Sequence, residues 1–462
     1  MSDIIYPTLD LFIYDLRNGL GESESEINQN RENFQKKLPQ SVQQLLAQFD
    51  KDFEVEYVEL LAKPKIKQFE GSDTQYPFEG YYYPVRIGDT YGLLLDCSVN
   101  NKTQAQPTKC FAALKDEISQ RLNGEVTTIG QTWMISGQLP KNSEKRPEDI
   151  AKACYQALMP GSNWEQNLEG QGQFLGASIF ELSWYHLTVE EGVAYPTNIQ
   201  SIQENQHIII VLYPDEATAE KAARFYPNWM RLFCYRHKIL WAYGQSRLIK
   251  QYIKNYLITI RQAIELLQKD NYHLKLKQLR QSLSQVQNTL TPYSINLSYL
   301  NFQGRTMEIN LSNYKKRLER IVKQTEGESE LNFLEGFSNL VTDKYLLQIT
   351  KDYEHMEMSS KWLDISINTL RSRVEVDQAE RDRTFQNTIA IVGVGLATGS
   401  LVMNLKDELK NFRNEPIRST LTHSQIDVTY LNIFIPLVYS IGAAVIAGAF
   451  TWLVIRLWPR SR

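Results

Sequence analysis

Cysteine and histidine are scarce in this chain: four and six among 462 residues. Cys97, Cys110, Cys154 and Cys234 stand far apart and no two form a CxxC pair, which argues against a disulfide framework and for reduced, mostly buried thiols in a cytosolic body. An excess of charge of one sign is also missing. Fifty Lys and Arg against 53 Asp and Glu give a net charge of -3, so there is no electrostatic footprint for nucleic acid and no such partner is expected. The phosphate-loop, dinucleotide, HExxH and GxSxG motifs are absent. A basic n-region followed by an apolar run is absent from the opening MSDIIYPTLDLFIYDLRNG, so no signal peptide is expected and the N-terminal part is expected to stay in the cytoplasm.

The histidines are scattered singly. His207 opens an apolar strand and His186 sits among aromatics, and both read as satisfied structural histidines. On a helix, His355 and Glu357 fall on different faces and make a poor metal pair. Glu190, Glu191 and Asp96 can act as acids, but no second group stands at catalytic spacing from any of them. The chain therefore reads as a non-enzyme without a cofactor. Phe233–Arg247 (FCYRHKILWAYGQSR) is dense in bases and rings. It reads as the amphipathic join between two regions, with an anionic-ligand contact as the other reading.

Long apolar runs lie only at the far end. Thr388–Met403 and Leu431–Trp458 carry no acid, and Arg456 is their one base. A bilayer core of ~30 Å needs ~20 apolar residues in a helix, so the second run is long enough and the first needs its flanks. Tyr430, Trp452 and Trp458 occupy interfacial positions. With a bulky N-terminal region inside, the expected topology is two spans, both termini cytoplasmic, in a cell inner membrane.

The rest of the chain reads as α+β. A cytoplasmic α/β domain is expected over 1–242. Within it, GESESEINQN from Gly21 reads as a solvated helix start or a linker, and Ser41 onward as helical and then strand-like. Gly80–Ile87 and Tyr91–Val99 read as strands joined by a turn at Gly88-Asp89-Thr90. Lys109–Leu122 reads as a helix, Val126–Ser136 as a strand and Pro147–Leu158 as a helix with proline in its first turn. Ala177–Val189 and His207–Tyr213 read as strands, and the chain turns helical from Asp215, with Pro227 as a kink or break.

A helical stalk follows over 243–387. Leu276, Leu279, Leu283, Val286 and Leu290 form a heptad seam that Pro292 is expected to stop. Leu311, Tyr314, Leu318 and Ile321 resume it, and Leu346 through Val374 continue it. No helix breaker occurs between Thr342 and Ala390, so the last helix is expected to run into the first span. The first span covers 388–404, an external loop 405–430, and the second span 431–458.

Within the spans, Gly395 and Gly399 form a GxxxG, and Ala444 and Gly448 a small-xxx-small pair; both suit close helix packing in an oligomer or tight hairpin. Asn387, Ile391, Val394, Thr398 and Leu401 share one helical face, a pattern that suits a narrow pore. The other reading of the polar members is that they bond back to their own helix or sit at the interface.

This layout, with Met403-Asn404 closing the first span and Val402 in front of them, resembles the CorA-type magnesium and divalent-metal channels, whose signature there is Gly-Met-Asn. The resemblance implies a homopentamer whose first spans line the pore. Asn404 would offer oxygen to a hydrated cation at the outer mouth, with Mg²⁺ as the transported ion; no cofactor is expected, and the residues assign no metal ligand set. The expected function is thus an oligomeric membrane protein of CorA-like type, with a cytoplasmic sensing domain coupled by a stalk helix to a two-span pore. Its alternatives are a membrane-anchored coiled-coil scaffold that binds a protein partner through its helices, and a ligand-gated membrane effector.

Overall fold

The computed structural model describes residues 3–377, apart from 20–21, 47–55, 62–63, 73–75, 142–143, 187–203 and 270–275. Both expected spans and the loop between them lie outside the described residues. Among the described residues no helix is long and apolar enough to cross a membrane. The protein is mixed α+β.

The chain opens with β1 (Asp3–Leu16), then α1 (Glu24–Gln35), α2 (Gln40–Leu46), β2 (Tyr57–Glu59), β3 (Lys67–Ser72), β4 (Pro77–Ile87), β5 (Thr90–Val99), β6 (Ala105–Pro107), α3 (Cys110–Arg121) and β7 (Gly130–Gln138). The polar stretch after residue 20 is a helix because Ser23 caps it. The Ser23 hydroxyl accepts from the Glu26 amide, and Glu26 reaches back to the Ser23 amide. Gly88 at φ +57° supplies the turn from β4 to β5. The strand read from Val126 starts four residues later. Thr128 is used to close the end of β1, donating its amide to Asp15 Oδ1 and accepting from the Leu16 amide.

In the second half come α4 (Pro147–Leu158), α5 (Trp164–Asn167), β8 (Leu168–Phe174), β9 (Ala177–His186), β10 (Glu204–Tyr213) and α6 (Glu216–Ala223). They are followed by α7 (Tyr226–Lys269), α8 (Leu276–Gln324), β11 (Ser329–Glu330), a 3₁₀ turn at Asn332–Leu334, α9 (Glu335–Leu340), a π-type turn at Val341–Leu346 and α10 (Leu347–Asp377). The two expectations about proline have different outcomes. The helical run from Asp215 is broken between α6 and α7, and Pro227 follows that break in the first turn of α7, where its missing N–H has no intrahelical partner to lose. Pro292 lies inside α8 without ending it. Asn288, whose carbonyl loses its donor, is exposed to water, and the buried Leu290, Tyr293 and Leu297 hold the helix on its other face.

The strands form one sheet in the order β11-β8-β9-β10-β7-β1-β5-β4-β2, with β3 on β4 and β6 on β1. Only β10 and β7 run parallel among these pairs. Within it, β1-α1-β4-β5-α3-β7 with strand order β7-β1-β5-β4 is a split β-α-β arrangement of ferredoxin type, a topology that carries no function by itself. β1 is the centre, and Pro7 hides it in the sequence by interrupting a run that otherwise reads as strand. The strand absorbs the proline through a shift of register against β7 between Ile5 and Thr8, with Tyr6 at φ +48°.

The chain divides into two compact units, Met1–Leu248 with Asn301–Thr350, and Ile249–Leu300 with Lys351 onward. The boundary read at 242/243 falls within α7. In the first unit, one face of the sheet (Leu9, Leu11, Ile13, Leu93, Leu95, Ile208, Ile210) packs under Phe34, Phe111, Leu114, Ile150 and Leu158 of α1, α3 and α4. The four cysteines are free and buried. On the opposite face α7 lies against β1: Tyr226 stacks on Phe12, Phe233 meets it edge-on at 5.2 Å, and Tyr14 donates to the Met230 carbonyl. The seam Leu311, Tyr314, Leu318 and Ile321 is buried, with Tyr314 against Phe337. In the second unit, Ile260, Ala263 and Ile264 of α7 pack with Val286 and Leu290 of α8 and Leu363 and Ile367 of α10. Lys250 pairs there with Asp352 at 2.6 Å.

Candidate functional site

Polar side chains buried between the sheet and α7 form the most unusual chemistry in the described residues. Phe233–Leu240 is buried without interruption, which requires Arg236, His237 and Lys238 to find partners inside the protein. His237 Nε2 lies 2.7 Å from Thr132 Oγ1 on β7, and Thr132 Oγ1 lies 2.8 Å from His207 Nδ1 on β10. His207 Nε2 lies 3.1 Å from Glu181 Oε1 on β9. Strand register explains the convergence: His207 stands opposite Thr132 across the parallel β10–β7 pair, and opposite Ser183 across β10–β9.

One proton order satisfies all four groups. With Glu181 ionised, His207 donates Nε2–H to it and accepts at Nδ1 from the Thr132 hydroxyl, which accepts in turn from His237 Nε2–H. Both histidines are then neutral. Burial, and secondarily the Arg236 guanidinium, holds His207 well below the usual histidine range. Burial, then His207 and Arg236, do the same to His237. Burial pushes the Glu181 carboxyl up and Arg236 opposes it. The guanidinium lies 3.7 Å from Glu181 Oε1, donates to Ser183 Oγ at 3.2 Å and covers the Phe337 ring at 4.1 Å. Gly130 makes room, since a Cβ there would come within 2.6 Å of His237 Nδ1.

The acid–histidine–hydroxyl order is one that activates nucleophiles elsewhere. Here Thr132 is 0% exposed and its oxygen is held between two imidazoles, so it has no surface to offer a substrate. What the relay does is key α7 to three strands at one register. Within the join read for Phe233–Arg247, Phe233–Leu240 is thus a buried helix segment tied by hydrogen bonds, and half-buried positions alternate beyond it.

A second polar group stands nearer the start of α7. Asp10 and Asp96 face each other across β1 and β5, and Tyr226 donates to Asp10 Oδ2 at 2.6 Å. Burial pushes both carboxyls up. The charge of Asp10 adds to the effect on Asp96, while the Tyr226 hydroxyl opposes it at Asp10. Both carboxyls are thus held well above the usual carboxylate range, by burial at both and by the nearness of Asp10 at Asp96. On the other face of the sheet, Lys37 Nζ pairs with Asp15 Oδ2 at 3.1 Å, both side chains 1% exposed.

Of the residues singled out in the sequence, His207 belongs to the relay and Asp96 to the carboxyl pair. His355 is exposed on α10, and no group of three or more His, Cys, Asp or Glu that could hold a metal occurs among the described residues. Glu190, Glu191, Asn387, Ile391, Val394, Gly395, Thr398, Gly399, Leu401, Met403, Asn404, Ala444 and Gly448 lie outside the described residues. Arg236 and His237 lie in the basic stretch singled out in the sequence, whereas Glu181 and Thr132 carry no local signal linking them to it because they are distant from it in the chain. The one available signal was polar residues inside apolar strands, which demand buried partners. Compared with protein-family models, curated proteins and solved structures, the chain matches none.

Proposed function

We propose that the chain is an oligomeric integral membrane protein of CorA-like layout, anchored by two C-terminal spans in a cell inner membrane. The α+β unit senses a cytoplasmic signal and α10 leads toward the first span. The supporting observation is the helical path through Val341–Leu346 and α10 to Asp377, which contains no glycine or proline and stops ten residues short of the apolar run at Thr388. In this reading the sensing unit is held to α7 by the relay. Asn387, Ile391, Val394, Thr398 and Leu401 line a pore closed at its outer end by Met403 and Asn404, and the helices of neighbouring copies approach at Gly395 and Gly399.

The test is cation flux through the full chain reconstituted in liposomes. Magnesium influx is expected, and Asn404→Ala is expected to reduce it by roughly tenfold, the scale of about 1.4 kcal/mol at one oxygen contact. No flux from a correctly inserted oligomer overturns conduction. A second reading, a membrane-anchored interaction protein, is favoured by Met358, Trp362 and Ile365. These lie at i, i+4 and i+7 on α10 and are 67%, 51% and 66% exposed. In that reading the inserted protein conducts nothing, while Trp362→Glu abolishes its capture of a partner.

A further inference from the structure

Arg231 on α7 and Arg317 on α8 converge on the first turn of α7, within the first unit. Arg317 Nη1 donates to Asn228 Oδ1 at 3.2 Å, and Arg231 Nε donates to the Pro227 carbonyl at 3.2 Å. The Arg231 guanidinium stacks on the Tyr57 ring at 4.2 Å. Asn228 is in turn held by its amide, which donates to Gln324 Oε1 at 3.1 Å. Among the described residues neither arginine has an ion-pair partner, and Arg317 Nε is buried with no hydrogen-bond acceptor. Glu56 accepts from the Tyr235 hydroxyl and its charge acts favourably on Arg231 without forming an ion pair with it. Burial first, and then the Arg317 charge, push Arg231 below the usual arginine range. Two guanidiniums are thus kept close, half-buried and mutually repelling, while other arginines of the same unit, such as Arg236 and Arg121, have carboxylates.

We infer that Arg231, Arg317 and Asn228, beside Tyr57, form a binding site for a phosphate-type oxyanion. The planar fork of each guanidinium matches two oxygens of such a group, and the buried Nε–H of Arg317 has no acceptor of its own, so a small movement of the guanidinium toward an oxyanion would satisfy it. Two positive charges match a dianion, whereas one carboxylate leaves half the charge uncompensated. The site lies in the α+β unit alone, so it goes beyond the proposed membrane function and stands or falls separately from it.

The probe is inorganic pyrophosphate, added to the detergent-solubilised full chain and followed by calorimetric titration and thermal unfolding, with acetate as the carboxylate arm. Saturable binding with a raised Tm is expected for pyrophosphate and none for acetate. Arg317→Gln is expected to weaken pyrophosphate binding by roughly tenfold or more, the scale of losing a charge-assisted hydrogen-bond pair. Arg231→Lys, which keeps the charge and loses the fork, is expected to weaken it less, and serves if Arg317→Gln does not fold. The exposed Arg320→Gln is expected to leave binding unchanged. Two results overturn the site: a folded wild-type chain that ignores pyrophosphate up to the order of 10 mM, or unchanged affinity in both site variants. A raised Tm in Arg317→Gln with no pyrophosphate response in the wild type identifies relieved repulsion only, and also overturns it.

Discussion

Lys37→Met is expected to destabilise the first unit by about 3–5 kcal/mol at pH 7, because it leaves the Asp15 carboxylate buried without a counter-charge. Lys37 and Asp15 are each 1% exposed, so water cannot take the place of the lost ammonium. Asp15 keeps Thr128, whose amide donates to it at 2.9 Å, and neutral hydrogen bonds offset only part of a full buried charge. The sign of the pH dependence follows. Burial already pushes the Asp15 carboxyl up, and Lys37 is the largest opposing influence. Removing it raises the folded-state value further above the unfolded one, so over that interval the folded state holds the extra proton. The variant therefore loses stability as pH rises through it and recovers stability toward acid. Adding Asp15→Asn is expected to restore most of the loss and flatten the pH dependence. Chemical denaturation of the three proteins between pH 4 and pH 8 checks this. A loss below about 1 kcal/mol, typical of an exposed pair, contradicts a buried one.

His207→Leu is expected to lose about 2–4 kcal/mol by cutting the relay at its middle. Glu181 Oε1 loses its donor and the Thr132 hydroxyl its acceptor, and neither has water nearby, since both residues are buried. Thr132→Val removes the hydroxyl that both imidazoles use. Because the groups act in series, the double variant is expected to cost less than the sum of the singles, with a coupling of about 1–2 kcal/mol. Strict additivity in a double-mutant cycle contradicts a connected chain and leaves only separate pairs. The same cycle reports on α7, since His237 is the relay's contribution from that helix.

Local chemistry was legible in the sequence where one short stretch decides the outcome. The Gly88-Asp89 turn between β4 and β5, Pro147 at the start of α4 and the apolar seam of α8 are of that kind. Pro292 does not stop its helix as its residue type suggests, because an exposed carbonyl and a packed opposite face carry α8 through. The relay was illegible because its members, at 132, 181, 207 and 237, meet only once β9, β10 and β7 are in register under α7. The run Cys-Tyr-Arg-His-Lys reads as part of an amphipathic join, and its complete burial depends on Glu181, Thr132 and Ser183, which lie far away in the sequence.

In the proposed function the helix that reaches Asp377 carries on into the first span. Nitroxide accessibility measures this directly, with single labels placed from Val374 to Ile389 in the liposome-reconstituted full chain. The native cysteines are buried and can stay. The expected result is an unbroken period of about 3.6 residues across the whole scan, passing from aqueous to lipid exposure without interruption. Loss of that period over residues 378–387, with uniform access to water, contradicts it.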